Sequence, residues 1–320
     1  MGDGSRRVLV ALGGNAMTGA DGSATPAAQR AAIAGAMERV ADLVAAGVDV
    51  VLTHGNGPQV GNLLVKNELA AHVVPPVPLD WCGAQTQGTV GFTILDALEA
   101  ALGRRGLRRP AAALVTRTLV DAADPGFTRP TKPIGRFLPA EEAQRFVALG
   151  QTWEDRGEKG WRRVVASPQP LEILDAEAAE VLIAAGFVVV AAGGGGIPVA
   201  RDPDGSLRGV EAVIDKDLAA ALLARRVRAD VLVIATDVEA AMVDYGTERA
   251  RHVGRVTPRQ LRELVAEGHF ASGSMGPKVE AALRFVESGG WRSVITSLDR
   301  IAAAAEDADG TVGTVVQAAS

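Results

Sequence analysis

The 320-residue chain is poor in the residues that build metal sites and disulfides: it holds one cysteine, Cys82, and four scattered histidines, His54, His72, His252 and His269. A lone cysteine excludes an internal disulfide and suits a reducing compartment. It reads most simply as a small buried side chain. The histidines show no metal-ligand spacing. Aromatic residues are only 4% of the chain, so the interior must be built from Ala, Val, Leu and Ile. No apolar run approaches bilayer length; the strand-like stretch 187–192 is far too short. The opening Met-Gly-Asp-Gly-Ser-Arg-Arg leads into Val8-Leu9-Val10 without a separate signal core, so a cytoplasmic protein with no membrane association is expected. Positive charge is also short. Lys and Arg number 33 against 38 Asp and Glu, a net charge of −5. That disfavours nucleic acid as a partner, yet a few well-placed cations can still receive an anionic substrate. The P-loop pattern Gly-x-x-x-x-Gly-Lys-Ser/Thr is missing, as are the His-Arg-Asp and Asp-Phe-Gly signatures of protein kinases.

What is present is an alternation of short apolar runs with helical patterns. Strands are expected over 7–12, 48–53, 111–115, 187–192 and 231–235, and near Val294 and Val312. Helices are expected over 26–46, after Pro58, between Gly83 and Leu102, and over 176–185, 218–226, 258–267 and 279–288. Near-continuous apolar strands separated by helices imply a mainly parallel sheet covered on both faces, an α/β class fold. The length suits about two lobes. The Asp-Pro-Asp-Gly turn at 202–205 suggests a boundary just after it, giving an N-terminal lobe 1–215 and a C-terminal lobe 216–320. Between about 117 and 166 the rhythm breaks into a Pro-, Arg-, Glu- and Gly-rich excursion carrying Trp153 and Trp161, of the kind that forms a small lid.

Four glycine loops follow candidate strands: Gly13-Gly14-Asn15, Gly55-Asn56-Gly57, the run 193–196, and Gly273-Ser274-Met275-Gly276. Backbone N–H groups in such loops approach anions closely at the carboxyl ends of open sheets. Lysine is the sharper signal, because only five of the 33 basic residues are Lys. Lys66 and Lys159 have ordinary surface settings. Lys132 lies in the excursion, while Lys216 and Lys278 fall at helix starts, where a cation opposes the helix dipole unless an anion occupies the site. For Lys216 a salt bridge to its flanking aspartates is the plainer alternative, and for Lys278 a surface charge. Gly55-x-Gly57-x-x-x-Gly61 also resembles a loose dinucleotide turn, but no acidic strand end follows at the expected distance.

Taken together, the motifs resemble the amino-acid-kinase superfamily and, within it, the carbamate kinases. The segments are 11–16 (ALGGNA), 53–62 (THGNGPQVGN), 78–80 with 82–84, 130–135 (PTKPIG), Ser167-Pro168, 191–199 (AAGGGGIPV), 209–217 (GVEAVIDKD), 236–238 and 273–278 (GSMGPK), in family order over nearly the whole chain. Many relatives carry a lysine two residues before the first Gly-Gly. Here Ala11 stands there, as in carbamate kinases.

The resemblance implies a three-layer α/β/α sandwich with a protruding lid, a homodimer, and reversible transfer of phosphoryl between ATP and carbamate with Mg²⁺. Such enzymes often run toward ATP in arginine or agmatine breakdown. It implies that Gly13, Gly14, Asn15, Gly55, Asn56 and Gly57 bind carbamate and the moving phosphoryl. Gly194, Gly195, Asp237, Tyr245, Met275 and Gly276 would then line the nucleotide site. Lys216 and Lys278 would contact phosphates, Asp217 would orient them, Lys132 would reach down from the lid, and no protein side chain would ligate the metal directly. A kinase for an amino-acid carboxylate, or a nucleotide sensor without turnover, stays open as an alternative.

Overall fold

Strand β1 (Arg7–Leu12) sends Val8, Val10 and Leu12 into one core and Leu9 and Ala11 into another, so both of its faces are buried. This is the condition under which a parallel sheet is stable. The computed structural model describes residues 6–19, 24–270, 275–307 and 310–319. After β1 come α1 (Pro26–Ala45), β2 (Asp49–His54), α2 (Gly57–Ala70), α3 (Leu79–Arg104), β3 (Ala111–Ala113) and β4 (Arg117–Val120). The middle of the chain forms β5 (Lys132–Leu138), α4 (Ala140–Val147), β6 (Thr152–Asp155), β7 (Trp161–Val165), β8 (Pro170–Ile173), α5 (Ala176–Ala184) and β9 (Val188–Val190). Next are β10 (Ile197–Arg201), β11 (Leu207–Gly209), α6 (Lys216–Arg226), β12 (Val231–Thr236), β13 (Met242–Val243), β14 (Arg251–His252) and β15 (Arg255–Val256). The chain closes with α7 (Pro258–Ala266), α8 (Met275–Glu287), β16 (Arg292–Ser297), α9 (Ile301–Glu306) and β17 (Thr314–Gln317).

The large sheet runs β15-β17-β16-β12-β1-β2-β9-β3, and among the described residues only β17 against β16 pairs antiparallel in it. Helices α1, α3 and α9 cover one face, and α5, α6, α7 and α8 cover the other. The result is a three-layer α/β/α sandwich. Local chemistry fixes the helix starts. Thr25 caps α1 with Pro26 at its first position, and Thr257 and Gln260 form a capping box on α7. Helix α3 starts at Leu79, four residues before the expected Gly83, because Pro78 closes the extended segment and Asp80 complements the first turn. The last strand begins at Thr314, after Gly313 turns the chain at φ +78°.

Two smaller sheets depart from the sandwich. One runs β11-β10-β4-β8. Since β4 pairs parallel with β10, residues 117–120 belong to this sheet. The other, β5-β7-β6, is antiparallel and spans Lys132 to Val165, with α4 alongside and Phe146 stacked on Trp153 at 5.7 Å. No helix among the described residues is long and apolar enough to cross a membrane.

Candidate active site

Progress through the large sheet reverses between β1 and β12: the chain moves from β1 to β2 on one side and from β12 to β16 on the other. Open sheets bind ligands at the strand carboxyl ends beside such a reversal. Here the two strand ends touch. A Cβ on Gly13 would lie 2.7 Å from the Ala235 carbonyl oxygen, so the first position after β1 must be glycine. Gly13, Gly14, Thr236, Asp237 and Lys278 wall a cavity of about 160 Å³. A larger cleft of about 750 Å³ adjoins it and carries Gly55, Asn56, Gly57, Lys132, Lys216 and Lys278. Gly14 and Lys278 belong to both walls.

The three lysines singled out from sequence converge on that cleft through two aspartates. Asp215 caps α6: its Oδ1 accepts the backbone N–H groups of Asp217 at 2.9 Å and Leu218 at 3.3 Å. Its Oδ2 accepts Lys132 Nζ from the lid at 2.6 Å. Asp217, in the first turn of α6, accepts Lys216 Nζ on Oδ1 and Lys278 Nζ on Oδ2, the latter at 3.0 Å. Each of the two helix-start lysines therefore has the counter-charge that its opposition to the dipole demands. Of the flanking aspartates expected as the plainer reading of Lys216, Asp217 makes that pair and also serves Lys278 from a second helix, whereas Asp215 takes Lys132.

Electrostatics follow from burial. Desolvation alone would raise the Asp217 carboxyl, but the two ammonium groups outweigh it and hold the acid well below its usual range. Burial pulls Lys216 below the ordinary lysine value, with Asp217 resisting and Lys278 adding to the fall. His54, at the end of β2, is buried and brought down to about 4, mainly by desolvation and also by Lys216. Its ring is neutral at pH 7, and Nδ1–H donates to the Gly55 carbonyl at 2.8 Å.

The glycine loops divide in their roles. The Gly55 N–H donates to the Leu12 carbonyl at 3.1 Å, so that amide is committed to joining two strand ends, and Gly55 backs onto the Lys216 stem. Asn56 stands at the N-cap position of α2, and its Nδ2 donates to Thr86 Oγ1 at 2.9 Å. Gly57 opens α2 on the cleft wall. The run 193–196 is a packing wedge. Added Cβ atoms there would strike His54, Asn56, Ile214 and Thr118 in turn, and Gly194, Gly195 and Gly196 all hold positive φ. Gln87 pins it, donating from Nε2 to the Gly193 and Thr116 carbonyls at 3.0 and 3.1 Å. Gly194 faces the larger, lysine-lined cleft, while Gly195 sits buried against the Ile214 carbonyl and lines neither cavity.

Asp237 lines the smaller cavity. Met275 packs on the core, Gly276 lies within α8, and Tyr245 is exposed; these three line neither cavity. Gly273, Ser274 and the Asn15 side chain lie outside the described residues.

Two residues were missed from sequence. Asp215 was legible only as a flanking aspartate of Lys216, not as the cap of α6 and the partner of Lys132. Arg162 of β7 lines the cleft while stacked 5.0 Å from the Phe137 ring, and nothing in a run of surface-type arginines marks it out.

Comparison with known proteins agrees with this geometry. The amino acid kinase family matches residues 6–297. The chain is 46% identical to the carbamate kinase of Thermococcus kodakarensis, over 96% of this chain and 98% of that protein. It is 43% identical to the carbamate kinase-like protein YqeA of Escherichia coli, over 98% and 99% of the two chains. The carbamate kinase of Giardia lamblia bound to AMP-PNP superposes with a TM-score of 0.90 at 39% identity, over 98% of this chain and 99% of that one. The chain belongs to the amino acid kinase family, within the group of the carbamate kinases.

Proposed function

We propose that this kinase catalyses reversible phosphoryl transfer between ATP and carbamate, giving ADP and carbamoyl phosphate. The observation that carries the reading is the meeting of Lys132, Lys216 and Lys278 on one cleft through Asp215 and Asp217. Phosphoryl transfer asks chiefly for positioning and charge neutralisation, and a carbamate oxygen is already an anionic nucleophile. A site with a neutral His54 and ion-paired aspartates suits that demand. The nucleotide phosphates are assigned to the smaller cavity beside Gly13 and Asp237, and the small acid to the larger cleft beside Asn56, Gly57 and Lys132. The moving phosphoryl then passes Gly14 and Lys278, the residues common to both walls.

In this reading Lys216 and Lys278 neutralise the charge spread over the transferring oxygens, Asp217 orients both, and Lys132 closes the cleft from above. The two cleft carboxylates already serve lysines, so a divalent ion fits as part of the substrate, Mg²⁺ carried on the nucleotide phosphates. Residues 1–215 form the acid lobe and 216–320 the nucleotide lobe. Within the expected lid of 117–166, the separate sheet 132–165 is the moving part, while 117–120 stay with the sheet of β10. The enzyme runs toward ATP at the end of arginine or agmatine breakdown in the cytoplasm, as a homodimer. Exposed Trp81 and Phe92 on one face of α3, beside the edge strand β3, support that assembly.

The test is ATP formation by purified protein from ADP, Mg²⁺ and carbamoyl phosphate. Turnover is expected. ADP binding without turnover selects a sensor, and turnover only with an amino-acid acyl phosphate selects another acid kinase.

A further inference from the structure

We propose that Asp215 is the positioning residue of the lid: it fixes the ammonium of Lys132 over the cleft and ties lid placement to the helix that carries Lys216 and Asp217. The inference rests on the phosphoryl-transfer reading only for its kinetic arm. Its geometric basis is independent of it.

The two oxygens of Asp215 have separate duties. Oδ1 is committed to the N–H groups of Asp217 and Leu218, which makes the carboxylate a rigid part of the α6 N-terminus. With its plane set by those two bonds, Asp215 cannot follow the lid. Oδ2 is then left aimed at one place, where Lys132 Nζ arrives at 2.6 Å from a strand 83 residues away in sequence. Asp215 is almost buried, whereas Lys132 keeps a third of its side chain exposed. The fixed partner is therefore the acid, and the adjustable one is the ammonium on its four-carbon stem.

The ion pair sits one residue from Lys216 and two from Asp217. Any displacement of α6 moves the anchor of the lid with it. A lid that lifts must break this charge-assisted bond, and a lid that settles regains it. The arrangement also leaves the cleft with three ammonium groups against two carboxylates. A dianionic acyl phosphate entering beneath the lid thus meets Lys132 already held near it by an acid that is itself out of the way.

Asp215→Asn separates the two duties. Asn is as good an N-cap as Asp and keeps an oxygen for both N–H groups, while it removes the charge that holds Lys132. Hydrogen exchange of the 132–165 amides in the purified, ligand-free chain should accelerate about 10-fold, the scale of one charge-assisted hydrogen bond. Lys132→Ala should accelerate it equally, and α6 amides should be unchanged in both. With ADP and carbamoyl phosphate, D215N should raise KM for carbamoyl phosphate about 10-fold and leave KM for ADP within about two-fold. The double variant with K132A should be no worse than K132A alone. Lid exchange identical to the wild type in D215N, or kinetic losses that add in the double variant, overturns the proposal. A wild type that makes no ATP defeats the functional reading, and the exchange arm still decides the anchor.

Discussion

The rim of the large sheet and the lid supply cations to one cleft by opposite means. Lys216 and Lys278 grow from helix starts in the packed body, keep only 12% and 8% of their side chains exposed, and share one buried carboxylate. Lys132 comes from a three-stranded sheet outside the sandwich, keeps 32%, and meets its acid across the lid–body boundary. The first two are fixed within the packed body by Asp217. The third depends on where the lid sits. In the proposed mechanism the body supplies the permanent electrostatics of transfer and the lid a contribution that follows closure, the usual division between a rigid catalytic floor and a gating segment.

The most severe way to break this comparison is to remove the acid that the body lysines share. Asp217→Asn leaves two buried ammonium groups without their counter-charge, a change that typically costs about 3–5 kcal/mol. We expect kcat to fall about 10³-fold and the thermal midpoint to drop by several degrees; melting curves and initial rates check both. A variant with ordinary melting and near-normal kcat would show that the lysines need no orienting acid. Next in size is a paired measurement. Lys278→Ala should lower kcat on the order of 10²–10³, the scale of one lost transition-state donor. Lys132→Ala should act chiefly through KM for carbamoyl phosphate. Equal kcat losses in the two would erase the distinction between floor and lid.

His54 sharpens the comparison from beneath the floor. Its value of about 4 in the folded chain lies below the ordinary 6.5, so the unfolded chain binds the extra proton between those limits. The stability His54 contributes is complete above pH 6.5, falls as the pH drops through that window, and is gone below about 4. At pH 5 the loss relative to pH 7 is about 2 kcal/mol at about 1.4 kcal/mol per unit. Urea unfolding at the two pH values should show this difference in the wild type and a flatter dependence in His54→Gln. An equal pH slope in both proteins would place the proton elsewhere.

Much of this was readable in advance, and the misses have separate physical causes. Strands β1, β2 and β12 stand out because burial on both faces writes an unbroken apolar run. Lys216 and Lys278 stand out because a cation at a helix start contradicts local electrostatics, and such a contradiction points to a site. The run 193–196 was readable as a loop of close approach, but not for what approaches it. Glycine records that a Cβ has no room, and there His54, Asn56, Ile214 and Thr118 stand where the Cβ atoms would go. Asp215 was hidden for a different reason: its second duty exists only once a strand 83 residues away has folded over it. Gly61 stood out within its glycine pattern, but nothing local to a helical glycine tells that Gly135 of the lid lies against it.

Gly61 offers the gentlest test of the comparison. On α2 it faces Gly135 of β5, which holds φ +69°, and a Cβ on Gly61 would stand 2.6 Å from the Gly135 Cα and 3.1 Å from its nitrogen. Both sides of that contact are backbone, so no side chain can swing away and the lid strand itself must give ground. Alanine is the better helix former by about 1 kcal/mol. Gly61→Ala should therefore keep or raise the thermal midpoint of the body while the lid, pushed off its seat, presents Lys132 less well. We expect kcat/KM for carbamoyl phosphate to fall about 10-fold, a modest share of what a misplaced positioning group can cost. The rate of the Lys132→Ala variant should respond much less to the same change. Loss of activity together with loss of stability would mean that the glycine serves the body, and unchanged kinetics would mean that lid seating does not govern the cleft.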